Sequence, residues 1–284
     1  MNPLRFRGAT FDGARPWIVG VLNVTPDSFS DGGRYVEPEA ALAQAAKLER
    51  EGADWIDVGG ESTRPGAPVV EAAEERRRVV PVIEALAGRT RLPLSIDTYK
   101  AEVADAALAA GAEIVNDISG GRLDPDLLRV AARREAALVV GHLRGQPGTM
   151  QEHIHFDDVF LEVAEELGER VAAAQAAGVA RLIIDPGIGF GKKLAHNLEL
   201  VRRAGDFRRA LGRFVMVGVS RKRFLGELAT LPEASERLVP SAVAAALAAG
   251  YGANFLRVHD VAATRQALAV AAAFQAADRE EAGL

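Results

Sequence analysis

The chain has 284 residues, 49% of them hydrophobic and 26% charged, an ordinary balance for a globular protein that buries a large core. A formal net charge of -5 lacks the basic excess that nucleic-acid binding normally needs, and the absence of cysteine excludes disulfides, thiolate metal sites and a thiol nucleophile. No apolar run approaches the roughly 18 residues of a membrane span and the N-terminus lacks the apolar core of a signal peptide, so a cytoplasmic protein with no membrane and no nucleic-acid partner is expected.

In chain order, residues 4–11 read as a small strand pair able to plug the bottom of a larger unit. Short β-branched runs then alternate with helix-like stretches. Strands are expected at 17–23, 54–58, 93–97, 113–117, 137–142, 181–185, 214–219 and 254–258. Helices are expected near 38–52, 71–87 and 100–110, after Pro125, from about 156 to 177, and at 238–249 and 261–277. In the first of these, Pro38 stands in the first turn, where its missing N–H costs little, and Gly52 suits a C-terminal cap. Eight strand–helix units predict an α/β chain folded as a TIM (β/α)8 barrel, a single domain over residues 1–284, with the N-terminal strand pair closing the barrel bottom. The rival is a doubly wound open sheet. It would normally carry a phosphate loop after its first strand and fewer polar strand ends elsewhere. Long loops after the first, second and fifth strands are rich in glycine, proline and hydroxyl residues, and read as flaps able to close over a substrate.

Each strand ends on polar residues: Asn23, Asp57, Asp97, Asn116-Asp117, His142, Asp185, Ser220, and Arg257 with His259. A barrel gathers such ends around one mouth, where catalytic groups sit. Asp185 precedes the glycine-rich run Pro186-Gly-Ile-Gly-Phe-Gly-Lys192, and its two oxygens suit a heterocycle with adjacent N–H donors. The bland alternative is a helix cap or a pair with Lys192. Asp97 suits a ring N–H or a developing positive charge, and equally a helix N-cap. Of Asn116 and Asp117 only one can face the mouth, because neighbouring strand residues point to opposite faces. Asn116 suits ring recognition, which leaves Asp117 structural.

In Ser220-Arg-Lys-Arg223, Lys222 is the expected inward member; the alternative is a solvated charge run. Arg257 and His259 share a strand face, where arginine can stack on a flat ring or fork onto phosphate. Asn23 offers an oxygen suited to Mg²⁺, which takes few protein ligands when it bridges phosphates. His153 and His155 lie in a loop without a third ligand and do not read as a zinc site. The glycine run lacks the lysine-then-hydroxyl ending of a nucleotide-binding P-loop.

Taken together, Leu22-Asn-Val-Thr-Pro-Asp-Ser-Phe-Ser-Asp-Gly-Gly33 and Asp57-Val-Gly-Gly-Glu-Ser-Thr-Arg-Pro-Gly66 resemble the two signature segments of dihydropteroate synthases. Ser95-Ile-Asp-Thr98, Asn116-Asp117, Arg144-Gly145 with Thr149-Met-Gln151, Asp185 to Lys192, Ser220-Arg-Lys222 and Arg257-Val-His-Asp260 extend the likeness in order along the chain. The resemblance implies a Mg²⁺-dependent transferase of folate biosynthesis. Such an enzyme joins 4-aminobenzoate to 6-hydroxymethyl-7,8-dihydropterin diphosphate and releases pyrophosphate. It implies that Asp97, Asn116, Asp185 and Lys222 hold the pterin, with Arg257 stacking on its ring. Asn23, Arg64, Arg257 and His259 would face the diphosphate, with Asn23 also meeting the Mg²⁺. Phe29, Thr63, Pro65, Phe190 and Ser220 would shape the aminobenzoate site. Asp97, Lys222, Arg257 and His259 form the implied catalytic set, and the partners would be the two small substrates and a second copy of the chain, joined through helices near the C-terminus. One departure is Gly141, beside His142, where family members often carry methionine; the expectation is lost bulk near the pterin. The enzyme rival is a pterin-binding methyltransferase barrel serving a corrinoid partner, and the non-enzyme rival is a paralogue that only binds pterin.

Overall fold

A computed structural model of the chain describes residues 1–25, 38–62 and 68–281. Eight parallel strands close into a barrel: β3 (Trp17–Asn23), β4 (Trp55–Gly59), β5 (Leu94–Asp97), β6 (Ile114–Asp117), β7 (Ala137–Gly141), β8 (Arg181–Asp185), β9 (Phe214–Val217) and β10 (Phe255–Val258). β10 pairs with both β9 and β3, which seals the ring. All eight expected strands are present, each within two residues of the expected bounds.

The strands read as apolar runs because both of their faces are covered. Outward positions such as Ile18, Leu22, Ile56, Val58, Ile96, Leu138 and Ile184 pack under the helices. Inward positions alternate with them and change character along the axis. Trp17, Trp55, Ile114, Ile183, Phe214 and Phe255 fill the lower interior. Two residues further on, four of these faces carry Asp57, Asn116, Asp185 and Arg257, and Asp97 stands two residues beyond Ser95 on β5.

Below them lies the expected strand pair, β1 (Leu4–Phe6) and β2 (Ala9–Phe11), antiparallel across a tight turn in which Gly8 has φ 64°. Phe11 is fully buried against Trp17, Phe214 and Phe255, with ring centroids 5.1, 4.8 and 4.3 Å away. Arg7 fastens the pair to the barrel, donating to Ala87 O at 2.8 Å and Gly111 O at 3.0 Å.

The helices follow the strands: α1 (Pro38–Glu51), α2 (Ala72–Ala87), α3 (Ala101–Ala109), α4 (Asp126–Arg133), α5 (Val159–Ala176), α6 (Leu194–Arg202), α7 (Ala204–Leu211), α8 (Arg223–Ala229), α9 (Leu238–Gly250) and α10 (Val261–Glu281). Gly52 ends α1 in the left-handed region, φ 95°, as the sequence predicts. α6, α7 and α8 were not expected from the sequence. They are short and divided by abrupt turns, so none shows the long apolar period that marks a helix.

Loops 1 and 2 lie largely outside the described residues. The third expected flap, after β7, is fastened rather than free. Arg144 pairs with Glu162 and Glu166 on α5 and stacks on Phe156, 4.1 Å from its ring centre. Gln151 donates to Gly189 O at 2.9 Å, which ties this loop to the glycine run after β8.

Candidate active site

The polar inward layer is one connected group. Arg257 rises from β10 and donates from Nε to Asp57 Oδ2 and from Nη2 to Asp97 Oδ2, both at 2.6 Å. Asn116 Nδ2 donates to the same Asp57 oxygen at 3.0 Å. Ser95 Oγ donates to Asp57 Oδ1 and itself accepts from Trp55 Nε1 at 2.6 Å. The fully buried Asp57 carboxylate therefore knots β4, β5, β6 and β10 together. It was counted among the strand ends in the sequence and given no role. Its position two residues beyond Trp55, on the same inward face, was the available signal.

Asp97 is not a helix cap. α3 begins at Ala101, whose N–H donates to Asp124 Oδ2 at 2.7 Å. Among the described residues, Asp97 Oδ1 is buried with no hydrogen-bond partner, while Oδ2 holds Arg257. Burial pushes this carboxyl up to about 7; the Arg257 charge opposes the rise and the neighbouring Asp57 adds to it. Burial alone would depress the Arg257 guanidinium, but Asp97 and Asp57 more than reverse that and hold it above its ordinary value.

Asn116 and Asp117 divide as expected. Asp117 turns away and accepts from the Ser119 N–H and hydroxyl, each at 2.8 Å, and from the Gly121 N–H. Asp185 Oδ1 accepts from Gly187 N at 2.7 Å, which shapes the glycine turn. It caps no helix, because α6 begins only at Leu194. Its direct partner is not Lys192, whose Nζ lies 2.9 Å from His142 Nδ1 and 3.0 Å from Phe190 O. Burial raises the Asp185 carboxyl, against the Gly187 N–H and the charges of Lys222, Arg257 and Lys192.

Lys222 is the inward member of its cluster: Nζ sits 4.0 Å from the centre of the Phe190 ring. Arg221 turns to Asp260 at 2.7 Å, and Arg223 lies out on α8 beside Glu227. Ser220 is buried; its Oγ accepts from His259 N at 3.1 Å and lies 3.0 Å from His259 Nδ1. Asn23 ends β3, half-buried, in register with Gly59. A Cβ added at Gly59 would meet both Asp97 and Asn23 Oδ1, so that glycine keeps open the ground between them. Phe29, Thr63, Arg64 and Pro65 lie outside the described residues.

Gly141 departs from the expectation of lost bulk. A Cβ there would stand 2.6 Å from Asp117 O and from Ile118 Cα, so the space is filled by neighbouring backbone. His153 and His155 are exposed, and among the described residues no cluster of three or more His, Cys, Asp or Glu could hold a metal. A hollow of about 520 Å³ lined by Arg15, Arg208 and Asn254 lies at the opposite end of the barrel, beside the starts of β3 and β10. Among the described residues no helix is long and apolar enough to cross a membrane.

Residues 19–259 match the family model of pterin-binding enzymes. A dihydropteroate synthase from Synechocystis is 43% identical over 272 residues, covering 95% of this chain and 94% of that protein. Two solved structures of Xanthomonas albilineans dihydropteroate synthase superpose closely. The one with 4-aminobenzoic acid has TM-score 0.87 at 48% identity and covers 95% of this chain and 96% of that one. The one with 7,8-dihydropteroate has TM-score 0.86 at 44% identity and covers 97% and 99%.

Proposed function

Since the chain belongs to the pterin-binding enzymes and, within them, to the dihydropteroate synthases, we propose that it condenses 4-aminobenzoate with 6-hydroxymethyl-7,8-dihydropterin diphosphate to give 7,8-dihydropteroate and pyrophosphate. The observation that carries the reading is the polar knot in the barrel mouth. A flat donor–acceptor ring needs matched partners on one rim, and Asp97, Asn116, Asp185, Lys222 and Arg257 supply them around an Asp97 oxygen that lacks a partner among the described residues.

In this reading Asn116, Asp185 and Lys222 orient the pterin. The Arg257 guanidinium, fixed flat by Asp57 and Asp97, stacks on it. The aminobenzoate nitrogen forms a bond to the exocyclic methylene carbon. The carbon–oxygen bond to the diphosphate breaks, and the amine gives up one proton to the departing pyrophosphate. The Asp97 carboxylate stabilises positive charge that develops on the pterin as the leaving group departs, while Arg257 and His259 stabilise negative charge on the pyrophosphate. The aminobenzoate lies against Phe190 and Ser220, with Phe29, Thr63 and Pro65, and Arg64 meets the diphosphate.

Magnesium fits a single protein oxygen at Asn23, because this hard ion keeps waters and takes the rest of its ligands from phosphate. When bound there it would neutralise charge on the diphosphate. A homodimer is part of the same reading. It is supported by the exposed stripe Val239, Val243 and Leu247 at four-residue spacing on α9, beside exposed Val270 and Phe274 on α10. Sedimentation showing only monomer would refute it. A cytoplasmic location accords with two soluble, charged substrates.

The test is to mix both substrates with Mg²⁺ and the purified chain. Pyrophosphate and dihydropteroate should appear together in equal amounts. Pterin diphosphate binding without turnover would refute the enzymatic reading.

A further inference from the structure

Outside the residues that meet the substrates, Lys192 is a buried polar group in the barrel top. Its side chain is buried at the end of the glycine run, and its neighbour Lys193 is exposed. Nζ donates to His142 Nδ1 at 2.9 Å and to Phe190 O at 3.0 Å. The other histidine nitrogen, Nε2, is 3.0 Å from Glu166 Oε2 on α5. Burial brings the Lys192 amine down to about 7, against the charges of Asp185 and Glu166. As an ammonium below that pH it can only donate, which makes Nδ1 the acceptor, so Nε2 carries the proton and donates to Glu166. Burial and the Lys192 charge together push the imidazole down to about 4, which keeps it neutral and keeps this polarity. Burial would raise Glu166, but the hydrogen bonds from His142 and Arg144 prevail and bring it to about 2, so it stays an acceptor.

A continuous line of hydrogen bonds thus joins the Phe190 carbonyl, Lys192, His142, Glu166 and Arg144, with Lys192 donating to both sides and Glu166 accepting from both. The loop it reaches is held through its backbone: Asp185 holds Gly187 N, Asn197 Oδ1 accepts from Gly189 N at 2.7 Å, Gln151 donates to Gly189 O, and Lys192 holds the Phe190 carbonyl. Gly187, Gly189 and Gly191 all have positive φ, at 69°, 82° and 62°, and none offers a side chain to pack. A Cβ at Gly187 would collide with His142 O and come within 3.2 Å of Lys192 Nζ, so the loop folds directly onto this line.

We propose that Lys192 is a positioning residue: by pinning the Phe190 carbonyl to His142, its Nζ sets the Phe190 ring under Lys222 and so shapes the aminobenzoate subsite without touching substrate. This rests on the proposed reaction, in which Phe190 borders that subsite. Asp185, whose own turn is held by Gly187 N–H, begins the same loop, so pterin contacts are expected to be far less affected than aminobenzoate contacts.

Lys192→Met keeps the length of the side chain and removes its donors. Its KM for 4-aminobenzoate should rise about tenfold, the scale of one lost oriented hydrogen bond. Its kcat at saturation and its pterin diphosphate affinity by calorimetry should stay within about twofold of wild type. An unchanged aminobenzoate KM overturns the proposal, and so does an equal loss of pterin affinity, which would mark a general structural role. If Lys192→Met does not fold, Glu166→Gln at the outer end of the line carries the test. It should raise the same KM about threefold and spare pterin binding, and no rise overturns the proposal. Wild-type protein that releases no pyrophosphate would instead refute the reaction itself, and this inference with it.

Discussion

The two ends of the barrel interior lie only two residues apart along the strands. At the lower level Trp17, Trp55, Phe214 and Phe255 pack with Phe6 and Phe11 into an aromatic plug. At the upper level Asp57 and Arg257 stand two residues beyond Trp55 and Phe255, joined by Asp97, Asn116 and Asp185, while Val19 and Met216 beyond Trp17 and Phe214 stay apolar. Aromatic rings gain free energy simply by leaving water, and their edge-to-face contacts add to it. Buried charges gain little by comparison, since desolvation consumes most of their attraction, and well-packed apolar residues often serve stability as well or better. The contrast teaches a division of labour. The lower level holds the barrel closed, and the upper level keeps charges there for a ligand, at a cost the lower level offsets.

The largest expected effect comes from taking the centre out of the upper level. Asp57→Ala leaves Arg257 with one carboxylate and leaves Asn116 Nδ2 and Ser95 Oγ without their acceptor. Breaking a buried pair of this kind costs about 3–5 kcal/mol, and pterin binding should vanish with it. Urea unfolding and pterin calorimetry check both; near-wild-type binding would mean that Arg257 needs no such anchor. Phe11→Ala is the matching cut below. It should cost a similar or slightly smaller stability, about 3–5 kcal/mol, with pterin affinity unchanged in the folded protein. A parallel loss of affinity would show that the two levels are mechanically coupled and would undo the division.

The lower level and the barrel itself were legible in the sequence, because both rest on local patterns. Apolar runs of four to seven residues mark strands covered on both faces, and a polar residue closing each run marks the rim. That only one of Asn116 and Asp117 faces the mouth followed from period-two alternation, and the choice of Asn116 from its amide, which both donates and accepts. What stayed hidden was pairing. The Asp57 partners lie 38, 59 and 200 residues away, so nothing near Asp57 in the chain marks it as a hub. Lys192 was hidden for a related reason: in the sequence it reads as the end of the glycine run and a partner for Asp185, and only the folded loop turns it to His142 while Lys193 faces out. Gly141 reads in the sequence as missing bulk, but the backbone at 117–118 already occupies that space.

A third, smaller effect distinguishes the levels by pH. Asp97 binds its proton more tightly in the fold than in the unfolded chain, because burial raises its carboxyl to about 7. Between the ordinary Asp value near 4 and that raised value, the folded protein retains a proton that the unfolded chain releases. Unfolding free energy from this group therefore falls as pH rises through the window, by at most about 1.4 kcal/mol per unit. In Asp97→Asn this slope should disappear, so the gap between wild type and variant should shift with pH. The Phe11→Ala gap should stay level over the same range, since no charge is involved. Thermal melts of the three proteins without ligand from pH 4 to 7, a range chosen from these values, decide the matter. A pH-independent gap for Asp97→Asn would mean that Arg257 keeps the carboxylate ionised throughout.

The smallest effect sharpens what the upper level consists of. Lys222 and Arg223 are adjacent, both positive, and part of one basic cluster in the sequence. In the fold, Lys222 turns over the Phe190 ring, while the Arg223 side chain is 88% exposed and pairs with the exposed Glu227 one helical turn on. An exposed i,i+4 pair contributes about 0.3–0.5 kcal/mol, so Arg223→Ala should shift stability by no more than that and leave both substrate KM values alone. Lys222→Ala should raise the KM for the pterin diphosphate severalfold or more, since it removes a positive charge that faces both Asp97 and Asp185. If the two variants behaved alike in steady-state kinetics, charge anywhere near the mouth would suffice, through its long-range field. If they diverge as expected, what matters is the inward turn of one side chain, set by the way the chain leaves β9 and enters α8.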